Sequence, residues 1–160
     1  MENDDVGSRL RHILRKYPTG VTVVTSILDG VACGGTMNSF CSVSLNPPLV
    51  AVFISKNSRT ATGIMQSEKF AINILTSDQE KIATIFSTDG SSDKFQPETY
   101  WYGESGMPLL KETLAHIECD LFLSQDIADH SMFVGSVKGG DVDVEREPLV
   151  YYNRKFQSLK

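Results

Sequence analysis

Val21-Thr-Val-Val-Thr-Ser-Ile27, Leu28-Asp29-Gly30 and Val31-Ala-Cys-Gly-Gly-Thr-Met37 form the stretch that decides the fold. The first arm is rich in β-branched residues, which suit a pleated surface better than a helix, so a strand is expected over 21–27. Asp29-Gly30 then supplies two residues that tolerate the positive φ angles of a tight hairpin. The return strand is expected over 31–37. Gly34 and Gly35 stand inside it, and glycine in a strand marks a bulge or a place where something packs on the backbone.

Working outward, residues 1–7 are acidic and polar and are expected to form a disordered tail. Ser8 can cap a short helix whose apolar side is Leu10, Ile13, Leu14 and Tyr17, with Pro18 and Gly20 ending it. Downstream, residues 40–45 are small and polar, and Asn46-Pro47-Pro48 breaks the chain. The apolar run 49–54 reads as a buried strand. Ser58 can cap a helix to about residue 66, and residues 70–75 form another strand. Ser77 or Asp78 starts a helix to about Phe86. Residues 87–108, rich in Gly, Ser, Asp and Pro, read as a long loop, and a loop of that length is usually functional. Two longer strands, 114–125 and 131–144, meet near residues 126–129, and a last strand is expected within 148–156. Six or seven strands and three short helices predict a mainly β fold: an antiparallel barrel with helical insertions, in one domain over 8–160.

The chain has 160 residues, which suits a single domain. Its net charge of −5 speaks against a nucleic-acid module but leaves room for a local anion pocket. Cys33, Cys41 and Cys119 are an odd set without a secretory leader, so free thiols and a cytoplasmic location are expected. No apolar run approaches the ~18 residues of a membrane span. Phosphate-loop, dinucleotide-turn and nucleophile-elbow motifs do not occur; Gly103-Glu-Ser-Gly106 lacks the elbow's spacing. His116-x-x-Cys119 offers two ligand types on opposite faces of a strand, so no metal site is expected.

Three clusters could carry chemistry. Gly34-Gly-Thr-Met-Asn-Ser-Phe-Cys-Ser-Val-Ser44 packs Thr36, Asn38, Ser39, Ser42 and Ser44 together with little bulk. Small residues let a planar ligand approach the backbone, and short hydroxyls or amides add directed hydrogen bonds. The same composition suits a plain polar loop. Ser55-Lys-Asn-Ser-Arg-Thr60 precedes a helix, and helix N–H groups with Lys56 and Arg59 would suit a phosphate as well as an ordinary capped helix would. Lys94 is a third candidate cation. Asp129-His130 sits at the turn between the long strands, where a histidine can donate a hydrogen bond or hold a proton near neutral pH. Asp129 is expected to point away from it, as adjacent strand residues do. His12 and His116 read as structural, and Tyr100-Trp-Tyr102 as either a lid or loop filling.

Taken in order, Tyr17-Pro-Thr-Gly-Val-Thr-Val-Val-Thr25, Gly35-Thr-Met-Asn-Ser-Phe40, Ser42-Val-Ser-Leu-Asn-Pro-Pro-Leu-Val50, Phe70-Ala-Ile-Asn-Ile-Leu75, Asp93-Lys94-Phe95, Asp129-His130 and Glu147-Pro-Leu-Val-Tyr151 resemble the flavin reductase-like family. The resemblance implies an antiparallel Greek-key split β-barrel acting as a homodimer, with flavin near the subunit interface. It implies that Thr36, Met37, Asn38 and Ser39 flank the ring and ribityl chain, that Ser42, Val43 and Ser44 offer further polar groups, and that Ser58, Arg59 and Thr60 hold the phosphate end, with Lys94 nearby. His130 would lie near the ring and the nicotinamide. The implied activity is reduction of FMN or FAD by NADH or NADPH, with reduced flavin passed to a partner monooxygenase. A flavin-binding electron carrier is the alternative. Relatives often read Gly-Asp-His where this chain has Ala128-Asp129-His130. If the glycine position takes a positive φ, alanine there costs roughly 1 kcal/mol.

Overall fold

The computed structural model describes residues 5–88 and 94–159. Residues 1–4 of the expected tail and Asp93 of the Asp93-Lys94-Phe95 string lie outside them. In chain order the elements are α1 (Val6–Leu14), β1 (Thr19–Gly20), β2 (Thr22–Leu28), β3 (Val31–Met37), β4 (Cys41–Leu45), β5 (Pro48–Ser55), α2 (Arg59–Ser67), β6 (Lys69–Ile74) and α3 (Glu80–Phe86). They continue as β7 (Tyr100–Tyr102), β8 (Pro108–Leu110), β9 (Ala115–Ile127), β10 (His130–Val142), β11 (Val150–Tyr152) and β12 (Lys155–Gln157).

The β2–β3 hairpin forms as expected. Leu28 pairs with Val31, and Asp29 and Gly30 have φ of 52° and 76°, the double positive φ that matches a hairpin's twist. The main sheet is antiparallel and seven-stranded, in the order β3-β2-β6-β9-β10-β5-β4. Val24 of β2 and Val52 and Ile54 of β5 lie far apart in that order, yet they share one core with Phe70 and Phe133. The sheet therefore curls on itself as a split barrel, with no ladder between its two edges, β3 and β4. Ser58 caps α2 by accepting from the Ala61 N–H at 3.1 Å. A second core, with Val23, Leu75, Phe86, Leu110 and Leu149, packs beneath α3.

Gly34 does not mark a bulge, because the β2–β3 register is unbroken. It marks close packing: a Cβ there would stand 3.0 Å from the Val24 carbonyl oxygen and 3.3 Å from the Phe86 ring. Phe86 thus closes onto the β3 backbone from α3.

Four expectations change. Val6 and Gly7 belong to α1 rather than to the tail, and the helix buries none of its residues, so Leu10, Ile13 and Leu14 face solvent in the single chain. Residues 41–45 pair with β5 as an edge strand with a bulge between Ser42 and Ser44; polar side chains concealed it because an edge strand buries little. The stretch 87–108 holds β7, which pairs with β8. Phe95 anchors this region through edge-on contacts to Phe86 at 5.0 Å and Tyr100 at 5.1 Å. The last expected strand is a hairpin, β11 with β12, turning at Asn153 and Arg154 with φ of 51° and 65°. That turn carries no glycine to announce it.

Ile127 pairs with His130, so Ala128 and Asp129 alone join the two long strands. Ala128 has φ 52°, a left-handed conformation that crowds any Cβ. The alanine therefore leaves the turn formed but strained. Replacing Ala128 with glycine should raise unfolding stability by about 1 kcal/mol, a gain net of glycine's greater freedom in the unfolded chain. Urea unfolding of the two proteins would measure it; an unchanged midpoint would mean the turn holds no such strain.

Candidate functional site

The split leaves a cleft of about 800 Å³ between β3, the end of β5, the first turn of α2 and the end of α3. Thr36, Met37, Asn38, Ser39, Ser58, Arg59, Thr60, Lys94 and His130 all line it. Four segments remote in sequence are thereby brought to one place. Ser42, Val43 and Ser44 are not among them: they lie on β4, the far edge strand, outside the cleft of the single chain.

The structure gives several of these side chains protein partners of their own. The Thr36 hydroxyl donates to the Ala83 carbonyl at 2.6 Å and ties β3 to α3. The Ser39 hydroxyl donates to the Phe53 carbonyl at 2.7 Å and accepts from the Phe53 N–H at 3.1 Å. One serine side chain thus stands in for a strand partner across the split. Lys94 donates to the Thr88 carbonyl and lies 5.9 Å from the centre of the Phe86 ring. At the start of α2 the Arg59 and Thr60 N–H groups have no acceptor within the helix, the Ala61 N–H being taken by the Ser58 cap, and Arg59 adds a full positive charge beside them. An anionic group is the natural occupant of that end.

Asp129 does not point away from His130. Its Oδ1 lies 2.8 Å from His130 Nδ1, because Asp129 sits in the turn rather than in the strand. In the neutral ring this bond places the proton on Nδ1 and leaves the Nε2 lone pair available. The bond to His130 holds the Asp129 carboxyl below its ordinary value, helped by its own backbone N–H and the charges of His130 and Lys56. The Lys56 N–H also donates to the Asp129 carbonyl at 3.1 Å, so the turn is tied to the loop that leads into α2.

Ser55 and Asn57, from the Ser55–Thr60 string, also line the walls, as do Phe53, Phe86 and Phe95, which were not legible as site residues. Phe53 is the clearest case: it lies in an apolar run that reads as buried, yet the residue is 37 % exposed. Cys33 also lines the cleft, but burial pushes its thiol up to about 11 against the opposing pull of Arg59, so it is no nucleophile at neutral pH. Trp101 lies away from the cleft, edge-on to His116 at 5.8 Å, so it is not a lid over this site. Cys119 is buried in the main core, and no cluster of metal-ligating side chains occurs among the described residues.

The flavin reductase like domain model matches residues 14–160. The chain belongs to that family. It is 37 % identical over 143 residues to a flavin reductase of Pseudomonas putida, covering 89 % of this chain and 84 % of the other. It is 34 % identical to HsaB, the reductase subunit of a flavin-dependent monooxygenase of Rhodococcus jostii, over 95 % of this chain and 77 % of the other. The NADH:FAD oxidoreductase of Streptomyces globisporus, solved with NAD and FAD fragments, superposes with a TM-score of 0.91. That pair shares 33 % identity, covering 100 % of this chain and 96 % of the other.

A carboxyl whose value is depressed by folding keeps its bond above the ordinary aspartate range and loses it as pH falls through the depressed value. Carboxyl-carbon NMR should therefore show Asp129 titrating below a free aspartate, and His130→Gln should bring it back toward the ordinary value. A titration that His130→Gln leaves unmoved would mean that the two side chains do not interact in solution.

Proposed function

We propose that the chain is an NAD(P)H-dependent flavin reductase that supplies reduced FMN or FAD to a partner monooxygenase in the cytoplasm. The observation that carries this reading is the juxtaposition within one cleft of the open β3 edge with its small residues and the α2 N-terminus with Arg59. A planar ring and a phosphate need these two environments. The donor set thus fits a flavin. Its chemistry when bound is acceptance of hydride from a reduced nicotinamide.

The protein's part is placement. The ring would lie against the open β3 edge, whose outward N–H groups have no strand partner and would stabilise negative charge that develops on reduction. Met37 and Asn38 flank the ring, while Thr36 and Ser39 hold the walls at fixed separation through their bonds to Ala83 and Phe53. Ser58, Arg59 and Thr60 take the phosphate, with Lys94 at the rim. His130, oriented by Asp129, steers the nicotinamide or a proton at Nε2 and is not needed for hydride movement itself.

A homodimer completes the reading. Val43, Leu45, Phe53, Phe122, Leu123 and Ile127 are exposed large apolar side chains on β4, β5 and β9, a cover too apolar for open solvent. A second copy on this surface would bring Ser42, Val43 and Ser44 of β4 to the flavin. No helix among the described residues is long and apolar enough to cross a membrane.

Anaerobic mixing of protein, excess FMN or FAD and NADH or NADPH, followed at 340 and 450 nm, tests the reading. Bleaching of many equivalents of flavin is expected, and Arg59→Ala should raise KM for FMN by roughly tenfold through loss of a charge-assisted phosphate contact. Bound flavin that stays yellow with both nicotinamides would leave an electron carrier in place of a reductase.

A further inference from the structure

Lys56 lies in the string Ser55-Lys-Asn-Ser-Arg-Thr60 and reads from the sequence as a cation that would suit a phosphate. The structure sends it elsewhere. Ser55, Asn57, Ser58, Arg59 and Thr60 line the cleft, and Lys56 alone of that string does not. Its Nζ lies 3.7 Å from Asp126 Oδ2 on β9. Its main-chain N–H donates to the Asp129 carbonyl at 3.1 Å. One residue therefore grips the β9–β10 tip on both sides of Ala128. Asp126 is itself aimed: its Oδ1 accepts from the Ser131 hydroxyl at 2.7 Å, and Ser131 is buried. Asp126 and Ser131 face each other across the ladder, as do Ile127 and His130. His130 is thus flanked in sequence by two residues that the grip reaches, Asp129 directly and Ser131 through Asp126.

An exposed ion pair contributes little to stability, because solvent screens it and two long side chains lose freedom. The Lys56 and Asp126 side chains are 37 % and 72 % exposed, so this pair is no pillar of the fold. Its consequence is local. The His130 side chain is half-exposed, and so is more than half of the carboxylate that orients it. Side chains so exposed take their direction from the backbone that carries them. That backbone is the turn with Ala128 at φ 52°, and a strained residue persists only where its surroundings over-determine it. Lys56 supplies two of those constraints. Its charge also helps hold the Asp129 carboxyl below its ordinary value, after the larger effects of His130 and of the Asp129 N–H.

We propose that Lys56 is a positioning residue for His130, a clamp that fixes the β9–β10 turn so that the imidazole is aimed into the cleft. The consequence for turnover rests on the reductase reading, in which His130 steers the nicotinamide. Lys56 acts through the turn and not by touching flavin or nicotinamide. It also opens the loop that leads to Ser58, Arg59 and Thr60, so the clamp joins the α2 end of the cleft to the turn that carries His130.

The test compares the full chain with Lys56→Met, Lys56→Arg, His130→Gln and the double variant Lys56→Met/His130→Gln. Both partners of the ion pair are exposed, so the fold is retained. Lys56→Met should raise KM for NADH about threefold, with little change in kcat or in KM for FMN. The same substitution made in the His130→Gln protein should raise KM for NADH no further, because residues that act through one another are not additive. Lys56→Arg keeps the charge and should bring KM back near the parent value. Without flavin or nicotinamide, carboxyl-carbon NMR should show Asp129 titrating closer to a free aspartate in Lys56→Met than in the parent or Lys56→Arg. An additive rise of KM in the double variant overturns the proposal. So does a rise in KM for FMN, which would make Lys56 a phosphate contact, or an Asp129 titration that Lys56→Met leaves unmoved. The titration needs no turnover. If the parent oxidises no nicotinamide, the reductase reading fails, and the titration still decides whether Lys56 governs the turn.

Discussion

Everything about this site depends on a sheet edge left unpaired. A barrel that closed fully would spend the outward N–H and C=O groups of β3 on a neighbouring strand. Here β3 ends the sheet, and its edge faces a cleft. Open edges invite pairing with another chain, so proteins cover or interrupt them. This chain interrupts the gap with side chains, Thr36 bonding to α3 and Ser39 to β5, and the start of α2 and the end of α3 form the cleft walls beside it. The split persists because two hydroxyls do the work of a strand at single points, leaving the rest of the edge free for a ligand.

The same economy of small residues recurs around the cleft. A side chain at Gly34 would meet the Val24 carbonyl and the Phe86 ring, so the β3 backbone can lie flat beneath α3 only without one. Opposite, the Ala128 turn holds a left-handed alanine where glycine would sit without strain. The long β9–β10 ladder over-determines the turn, and a strained residue survives where its surroundings fix it. His130 follows that residue by two positions, so its placement is set by the ladder, by the Asp129 bond and by the tie from Lys56.

Apolar side chains stand exposed on α1, β4 and β9, although the cores beneath are well filled. Fully buried residues such as Phe70, Phe133 and Ile72 show that the sequence does not lack interior. The exposed apolar set is therefore surplus to the fold, and this surplus is what the proposed dimer would cover.

The β2–β3 hairpin, the buried strands β5 and β6, the capped helix α2 and the long pair β9–β10 were legible in the sequence because local rules govern them. β-Branching, a two-residue Asp-Gly turn, a serine cap and unbroken apolar runs act within a few residues. The family strings named the candidate residues on the same local footing. Tertiary structure alone decided what each residue does there. The sequence could not show that the Thr36 and Ser39 hydroxyls answer to Ala83 and Phe53, because those contacts span long stretches of chain. Nor could it show that Phe53 leaves the core for the cleft, that β4 is an edge strand or that Asp129 turns back onto His130. Arg11, Arg15 and Arg154, from two ends of the chain, line one pocket for the same reason: backbone register, set by the whole barrel, fixes which distant residues become neighbours.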